Sequence, residues 1–197
     1  HAQTAVEAAI NLHPLVKDKL DDIDKIVIET QESGDRIINK TGSLDNPADR
    51  DHCIQYMAAI GLIKGALVAE DYEDDVATLP IVDQIREKMQ VSENTRFSQE
   101  YLEADKRSIG NSIQVFFKDG TSTHVESVDY PVGHRRRRAE GIPLLIEKFA
   151  RYVSGHLSQE QASQISQICT SQAAFENTSV DEMMALLSTH WVADDAG

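Results

Sequence analysis

Hydrophobic positions in the first forty residues change from helical to strand spacing. The spacing of the apolar side chains in the opening segment predicts an amphipathic helix that ends near Pro14 to Lys19, with Ala2, Val6, Ala9, Ile10, His13 and Val16 on one face. The β-branched run at 26–28 predicts a short strand. A second strand is predicted around Ile37 and Ile38.

A second helix has a clear start signal. Asn46 before Pro47 has the chemistry of an N-cap and a first turn, and Asp49 and Asp51 suit the positive end of a helix dipole. The helix predicted from this signal carries an apolar face made of Cys53, Tyr56, Met57, Ile60, Ile63 and Leu67.

The middle of the chain contains both helical and strand spacing of apolar residues. Pro80 opens a shorter predicted helix that carries Ile81, Val82, Ile85 and Met89, and alternation from Val91 to Phe97 predicts a strand. Asp119-Gly120 is a two-residue turn signal between alternating residues 113–117 and 121–127, which predicts a hairpin.

Beyond the basic run 135–138 the pattern is helical throughout. One predicted helix carries an apolar stripe of Ile142, Leu145, Ile146, Phe149, Tyr152 and Val153. Ser158 with Gln161 and Ser179 with Glu182 have the spacing of capping boxes, and the second box precedes the apolar residues Met183, Met184, Leu187 and Trp191. The order of elements predicts an α+β fold with a helical C-terminal segment.

The amino-acid composition disfavours several classes of partner and site. Among 197 residues, 19 Lys and Arg against 33 Asp and Glu give a net charge of −14, which disfavours nucleic acid and acidic membrane surfaces as partners. No window is long and apolar enough to span a bilayer. The two cysteines and seven histidines lack the spacing of a disulfide framework or a metal site, so we expect no metal and a reducing compartment.

Two polar segments could carry chemistry. Arg50, His52 and Tyr56 at a helix N-terminus could hold a carboxylate and supply a proton, or the acidic residues there could merely complement the dipole while Tyr56 is a core aromatic with its hydroxyl at the surface. His134 and Arg135 next to Gly133 could bind a carboxylate, or the arginine run could be a solvated surface. Spacing alone favours the structural alternative in both cases.

Three segments carry a resemblance to a known family. The opening His1-Ala-Gln-Thr-Ala-Val-Glu-Ala-Ala9, the run Asn46-Pro-Ala-Asp-Arg-Asp-His-Cys-Ile-Gln-Tyr-Met57, and Tyr130-Pro-Val-Gly-His-Arg-Arg-Arg-Arg138 with Glu140-Gly-Ile-Pro143 resemble the MmgE/PrpD family. Family members are longer and begin with a helical domain, so we expect this chain, which opens without Met, to be a C-terminal portion. The resemblance implies a lid domain over 1–140 with antiparallel strands and helices. It also implies a helical segment over 141–197 that packs on the absent domain.

The resemblance also implies an activity. It indicates a hydro-lyase without cofactor or metal that converts the small tricarboxylate 2-methylcitrate to 2-methyl-cis-aconitate in the methylcitrate cycle of propionate breakdown. The implied enzyme is a homodimer in the bacterial cytoplasm or the mitochondrial matrix, and we expect the isolated chain to be inactive and to self-associate. The alternatives are a carboxylate-binding module without catalysis, or a related cis-aconitate decarboxylase or epimerase.

The resemblance assigns roles to single residues. Tyr56 matches a tyrosine that lines the active site of the related cis-aconitate decarboxylase, so we expect its hydroxyl to donate to the substrate. His1, at the start of the lid, is expected to act as acid, base or carboxylate partner. Substrate binding is expected from Arg50, His52, His134 and Arg135.

Overall fold

The computed structural model describes residues 1–188 and divides the chain into two units. The first unit spans His1–Pro131, and the second begins at Val132. None of the helices within residues 1–188 combines the length and the apolar character needed to cross a membrane. The α+β class predicted from the sequence is confirmed.

Helices and strands are interspersed along the first unit. Their order is α1 (Gln3–Val16), β1 (Ile23–Thr30), α2 (Glu32–Ile38), α3 (Pro47–Arg50), α4 (Ile54–Lys64), α5 (Asp74–Ala77), α6 (Pro80–Arg86), β2 (Met89–Glu93), α7 (Thr95–Leu102), β3 (Asn111–Phe117) and β4 (Glu126–Val128). The second unit is helical in the residues described, with α8 (Arg138–His156), α9 (Gln159–Thr170), α10 (Gln172–Asn177) and α11 (Val180–Leu187).

The strands of the first unit form one sheet in the order β2-β1-β3-β4. The predicted hairpin is confirmed: β3 and β4 pair antiparallel, and the turn between them contains Gly120 at a φ of +84°. β1 pairs antiparallel with β3 and parallel with β2, so that Ile26 lies opposite Val115 on one side and Met89 on the other. The β1–β3 and β3–β4 pairs are antiparallel, as predicted for the lid, whereas β1 and β2 are parallel because the helical connection 31–88 brings the chain back in the same direction.

The core of the first unit forms where α1 packs against α4 and the sheet. The predicted opening helix is confirmed, and its buried face is Thr4, Ala5, Ala8, Ala9, Leu12 and Val16. Small side chains let the two helices approach closely, since a Cβ added to Gly61 of α4 would lie 2.8 Å from the Cβ of Ala9. α4 packs against both α1 and α6, and it is therefore buried on nearly all sides.

The helix predicted from Asn46 is interrupted. Asn46 is the N-cap of α3, as predicted, and its side chain accepts a hydrogen bond from the Asp49 amide at 3.0 Å. However, α3 ends after one turn at Arg50, and α4 begins only after Cys53, whose backbone is extended. This break lets the Arg50 side chain turn inward and form hydrogen bonds with Tyr72 and with Asp74, the first residue of α5.

One strand prediction is wrong, and another is only partly right. Ile37 and Ile38 lie at the end of α2, where Ile38 is buried and Ile37 is exposed, so only one of the β-branched pair has a place in the core. The strand predicted from Val91 to Phe97 is partly right: β2 begins at Met89, which was predicted to be helical, and ends at Glu93. It ends there because Asn94 caps α7 by accepting a hydrogen bond from the Arg96 amide at 3.0 Å. Phe97 is therefore a buried helical residue.

Two helices of the second unit begin where the sequence predicts. Ser158 and Ser179 each form the predicted capping box, at the start of α9 and α11. The helix α10 was not predicted, and Trp191 lies outside the described residues. The boundary implied at residue 140 falls inside α8, and the packing of 141–197 on another domain stays a prediction.

Candidate active site

His1 precedes Ala2, the N-cap residue of α1, and is partly buried. Its ring packs against Tyr101 of α7, with 5.9 Å between the ring centroids. Its Nδ1 atom lies 2.9 Å from the amide Nε2 of Gln31, and its backbone carbonyl accepts a hydrogen bond from the Asn111 side chain at 3.0 Å. This histidine is thus held in place by residues of α7, of the end of β1 and of the start of β3.

A buried polar cluster supports His1 where the end of β1 meets the start of β3. We call it the His1 cluster; its members are fully buried and are Thr4, Thr30, Gln31 and Asn111. Asn111 donates to the hydroxyl of Thr4 at 2.7 Å, and that hydroxyl donates to the carbonyl of Ile109. Because buried polar groups are costly unless they are hydrogen-bonded, these contacts define one side-chain arrangement. Asn111 Oδ1 has no hydrogen-bond partner within residues 1–188.

Tyr56 lies in α4 and is 2% exposed. Its hydroxyl donates to the backbone carbonyl of Asp71 at 2.5 Å, and its ring stacks on Tyr72 with 6.1 Å between centroids. Burial raises the pKa of Tyr56 to about 12, against the opposing effect of the Arg50 charge. The phenol is therefore a neutral core group at physiological pH, and its hydroxyl is buried rather than at the surface.

Arg50 is 4% exposed, which is unusual for an arginine. One terminal nitrogen donates to the carbonyl of Tyr72 at 2.6 Å, and the other pairs with the Asp74 carboxylate at 2.6 Å. Its Nε has no hydrogen-bond partner among the residues described. The Asp74 side chain is 80% exposed, whereas the Arg50 side chain is 5% exposed, so the ion pair joins a buried guanidinium to a carboxylate at the surface.

Arg50 and Tyr56 meet on one segment, residues 69–74. Tyr56 donates to the carbonyl of Asp71, and the Asp71 carboxylate, which is fully buried, pairs with Lys64. Arg50 binds the same segment at Tyr72 and Asp74. The structure therefore brings together two of the predicted site residues, although both are engaged by the protein itself.

His52 lies apart from these contacts on the surface between α3 and α4. Its side chain is 60% exposed, and its Nδ1 contacts the Asp51 carboxylate and lies 3.2 Å from the carbonyl of Ala48. Within residues 1–188, no hydrogen bond or ring contact joins His1 to Tyr56, Arg50 or His52. In the first unit, His1 and His52 thus share no such contact with the Arg50–Tyr56 pair or with each other.

His134 and Arg135 belong to the second unit. His134 caps the short helical turn Arg135–Arg137, because its Nδ1 accepts a hydrogen bond from the Arg136 amide at 3.2 Å. Partial burial and the adjacent charges of Arg135 and Arg136 lower the pKa of His134. A neutral imidazole inside a cluster of guanidinium groups forms a basic surface suited to a carboxylate or another anion.

Gln31 and Asn111 were not predicted to belong to the site. Each is a polar residue at the end of an apolar strand, a position where an exposed loop residue is equally common. Residues 1–188 contain no group of three or more His, Cys, Asp or Glu side chains that could hold a metal ion. The predicted site residues carry imidazole, phenol and guanidinium groups, and each of these can donate a hydrogen bond to an oxyanion.

The chain is similar to curated proteins from fungi and bacteria. It is 50% identical over 190 residues to "2-methylcitrate dehydratase, mitochondrial" of Yarrowia lipolytica, covering 94% of this chain and 36% of that protein. It is 46% identical over 193 residues to "Probable 2-methylcitrate dehydratase" of Saccharomyces cerevisiae, covering 95% and 37%. It is 45% identical over 189 residues to "2-methylcitrate dehydratase" of Salmonella typhimurium, covering 94% and 39%.

These relatives share one enzyme name across fungi and bacteria, and the chain spans between 36% and 39% of their length. A family model described as the MmgE/PrpD C-terminal domain matches residues 1–172. That match includes all three segments that carry the resemblance and every predicted site residue. The chain belongs to the MmgE/PrpD family, and it corresponds to the C-terminal domain of that family.

Proposed function

We propose that this chain acts as the C-terminal part of a 2-methylcitrate dehydratase. The complete enzyme would remove water from 2-methylcitrate to give 2-methyl-cis-aconitate, without a cofactor. The observation that carries the proposal is the 45% to 50% identity, over 94% of the chain, to proteins of this name from a yeast and a bacterium. In a eukaryote the enzyme would act in the mitochondrial matrix, and in a bacterium in the cytoplasm, as a homodimer within propionate breakdown.

The reaction sets the chemistry that the site must supply. A base removes a proton from the carbon next to a carboxylate, the C–O bond to the hydroxyl breaks, and the hydroxyl leaves as water after receiving a proton. Negative charge develops on the carboxylate oxygens during proton removal, so preorganised donors and cations lower the barrier. We assign donors and cations to this chain, and we place the base in the part of the enzyme that lies outside it.

Tyr56 is proposed to donate its hydroxyl to the substrate. Its raised pKa supports a neutral donor and argues against a phenolate base. Because a phenol has one proton, donation to the substrate requires exchange of the hydrogen bond to the Asp71 carbonyl. A substrate carboxylate that displaces Asp74 from Arg50 would loosen the same 69–74 segment and so couple binding to this exchange.

The remaining residues are proposed to bind the other carboxylates. His1 acts as a polar partner of the substrate at the start of the lid, while Arg50, His52, His134 and Arg135 supply positive charge or hydrogen bonds. Three carboxylates require several such groups, and guanidinium groups bind a carboxylate through two parallel hydrogen bonds.

The test is an assay of the complete protein with 2-methylcitrate, followed by the absorbance of the new alkene. Tyr56→Phe should lower kcat by roughly a hundredfold, within the range that acid–base groups supply. Tyr152→Phe, a hydroxyl deletion in the second unit, is the control and should leave kcat unchanged. Full activity in Tyr56→Phe would return Tyr56 to a purely structural role, and release of carbon dioxide from cis-aconitate would favour the decarboxylase alternative.

A further inference from the structure

Gln31 forms hydrogen bonds at both ends of its side-chain amide. Its Oε1 accepts from the hydroxyl of Thr30 at 2.6 Å, and its Nε2 lies 2.9 Å from Nδ1 of His1. Gln31 and Thr30 are both fully buried. An amide nitrogen can only donate, so the Nδ1 atom of His1 accepts this hydrogen bond and carries a lone pair rather than a proton.

The helix α2 holds this arrangement in place. Gly34 lies in α2 so close to the amide that an added Cβ would be 2.5 Å from Thr30 Oγ1 and 3.1 Å from Gln31 Oε1. A residue without a side chain at this position lets the α2 backbone cover the threonine hydroxyl and the amide together. The packing of α2 therefore keeps the Gln31 amide in the position from which it contacts His1.

The hydrogen bond determines which nitrogen of His1 carries the proton. A neutral imidazole has one N–H, and an accepting Nδ1 places that proton on Nε2. The Nε2 atom has no hydrogen-bond partner within residues 1–188. An imidazolium would set the Nδ1 proton against the amide protons of Gln31, two donors facing each other, and this contact disfavours the charged ring.

We propose that Gln31 is a positioning residue that holds His1 as the neutral tautomer protonated at Nε2, so that His1 serves as a hydrogen-bond donor to a substrate oxygen. This inference rests on the proposed function, in which His1 contacts the substrate. The donor acts when the α-proton leaves carbon and negative charge develops on the carboxylate oxygens. The His1 proton stays on Nε2, and the base elsewhere in the enzyme takes the proton from carbon.

The direct test is the protonation state of His1 in the complete enzyme. Histidine is labelled with nitrogen-15, and the His1→Gln variant identifies the His1 signals in the imidazole spectrum. At neutral pH we expect an unprotonated Nδ1 and a protonated Nε2. A proton on Nδ1 would overturn the proposal.

Two pairs of variants separate positioning from packing. Thr30→Val removes the hydroxyl that orients the amide and should give a mixture of His1 tautomers, whereas Thr30→Ser keeps the hydroxyl and should keep the Nε2-protonated form. Gln31→Leu should lower kcat about tenfold with little change in KM. Gln55→Leu removes a buried amide elsewhere in the first unit, and it should leave the His1 signals unchanged.

Gln31→Glu provides a readout that packing alone would not alter. A carboxylate opposite Nδ1 accepts a hydrogen bond from a protonated Nδ1 and stabilises the imidazolium, so the acidic limb of the kcat/KM profile should move to higher pH. An acidic limb that remains at the position of the unmodified enzyme would contradict the inference.

An assay of His1→Leu, which removes both ring nitrogens and leaves no side-chain donor, separates the role of His1 from that of Gln31. Undiminished kcat in this variant would contradict the role of His1 in the proposed function and would overturn the donor role with it. A large loss of kcat together with a proton on Nδ1 would leave the proposed function standing and overturn the part assigned to Gln31 alone.

Discussion

The two units of the chain bury their apolar side chains very differently. In the first unit, one face of α1, nearly all of α4 and the central strands form a core whose members are largely inaccessible to solvent. Among the residues described in the second unit, the buried apolar side chains are Ala162 and Ile165 of α9. The second unit instead leaves Ile142, Leu144, Leu145 and Ile146 of α8 between 43% and 51% exposed.

This difference shows what an apolar stripe does and does not predict. Both α1 and α8 have the helical spacing that the sequence indicates, and both form helices. The stripe of α1 is covered by α4 and the sheet, whereas the stripe of α8 is half exposed. Exposed apolar surface of this kind usually marks a contact with another protein surface, and we expect the rest of the enzyme to cover it.

The largest difference between the units is expected when one leucine in each is truncated to alanine and the loss in the free energy of unfolding is compared. Leu12→Ala creates a cavity in the core of the first unit and should cost about 3 kcal/mol in the free energy of unfolding, since Leu12 is fully buried. Leu145→Ala in α8 should cost less than about 0.5 kcal/mol in the isolated chain. Urea unfolding followed by circular dichroism measures both, and equal costs would contradict the contrast between the units.

Alkaline pH should weaken the first unit through Tyr56. Burial raises the pKa of Tyr56 from 10.0 to about 12, so the folded state favours the neutral phenol. This contribution is fully present below pH 10 and is lost as the pH rises through about 12, by an amount on the order of 2 kcal/mol. Urea midpoints of the unmodified chain and of Tyr56→Phe at pH 9 and at pH 11.5 should show a smaller alkaline loss in the variant; identical losses would refute this assignment.

Two glycine substitutions should change the stability of the protein in opposite directions. Gly61→Ala forces α4 away from Ala9 and should destabilise the first unit by about 1 kcal/mol. Gly155 of α8 has no atom within 4 Å of an added Cβ, so Gly155→Ala should stabilise its helix by about 0.5 kcal/mol through higher helix propensity. Thermal unfolding of each variant by circular dichroism tests the pair, and stabilisation by both would show that α1 and α4 are not closely packed.

Local signals predicted much of this fold. The N-cap at Asn46, the Asp119-Gly120 turn and the capping boxes at Ser158 and Ser179 act over four residues or fewer, and each is found where the sequence places it. The prediction of a strand at 37–38 failed because β-branched residues fit a helix end when only Ile38 has a site in the core. The parallel pairing of β1 with β2 depends on tertiary packing, which periodicity does not encode.

The candidate site was harder to predict than the fold. The resemblance identified His1, Arg50 and Tyr56 as candidates. It did not predict their contacts, which are made by residues distant in sequence. Tyr56 meets Asp71, and His1 meets Gln31 and Asn111. Polar residues such as Gln31 show no sign of burial in a single sequence, because burial results from the elements that pack over them.

The central claim is that this chain supplies donors and cations to a site whose base lies in the rest of the enzyme. The most direct measurement compares 2-methylcitrate dehydration by the complete protein with that by the isolated chain at equal concentration. We expect steady turnover by the complete protein and no rate above background by the chain. Turnover by the isolated chain at a rate near that of the complete protein would contradict the claim.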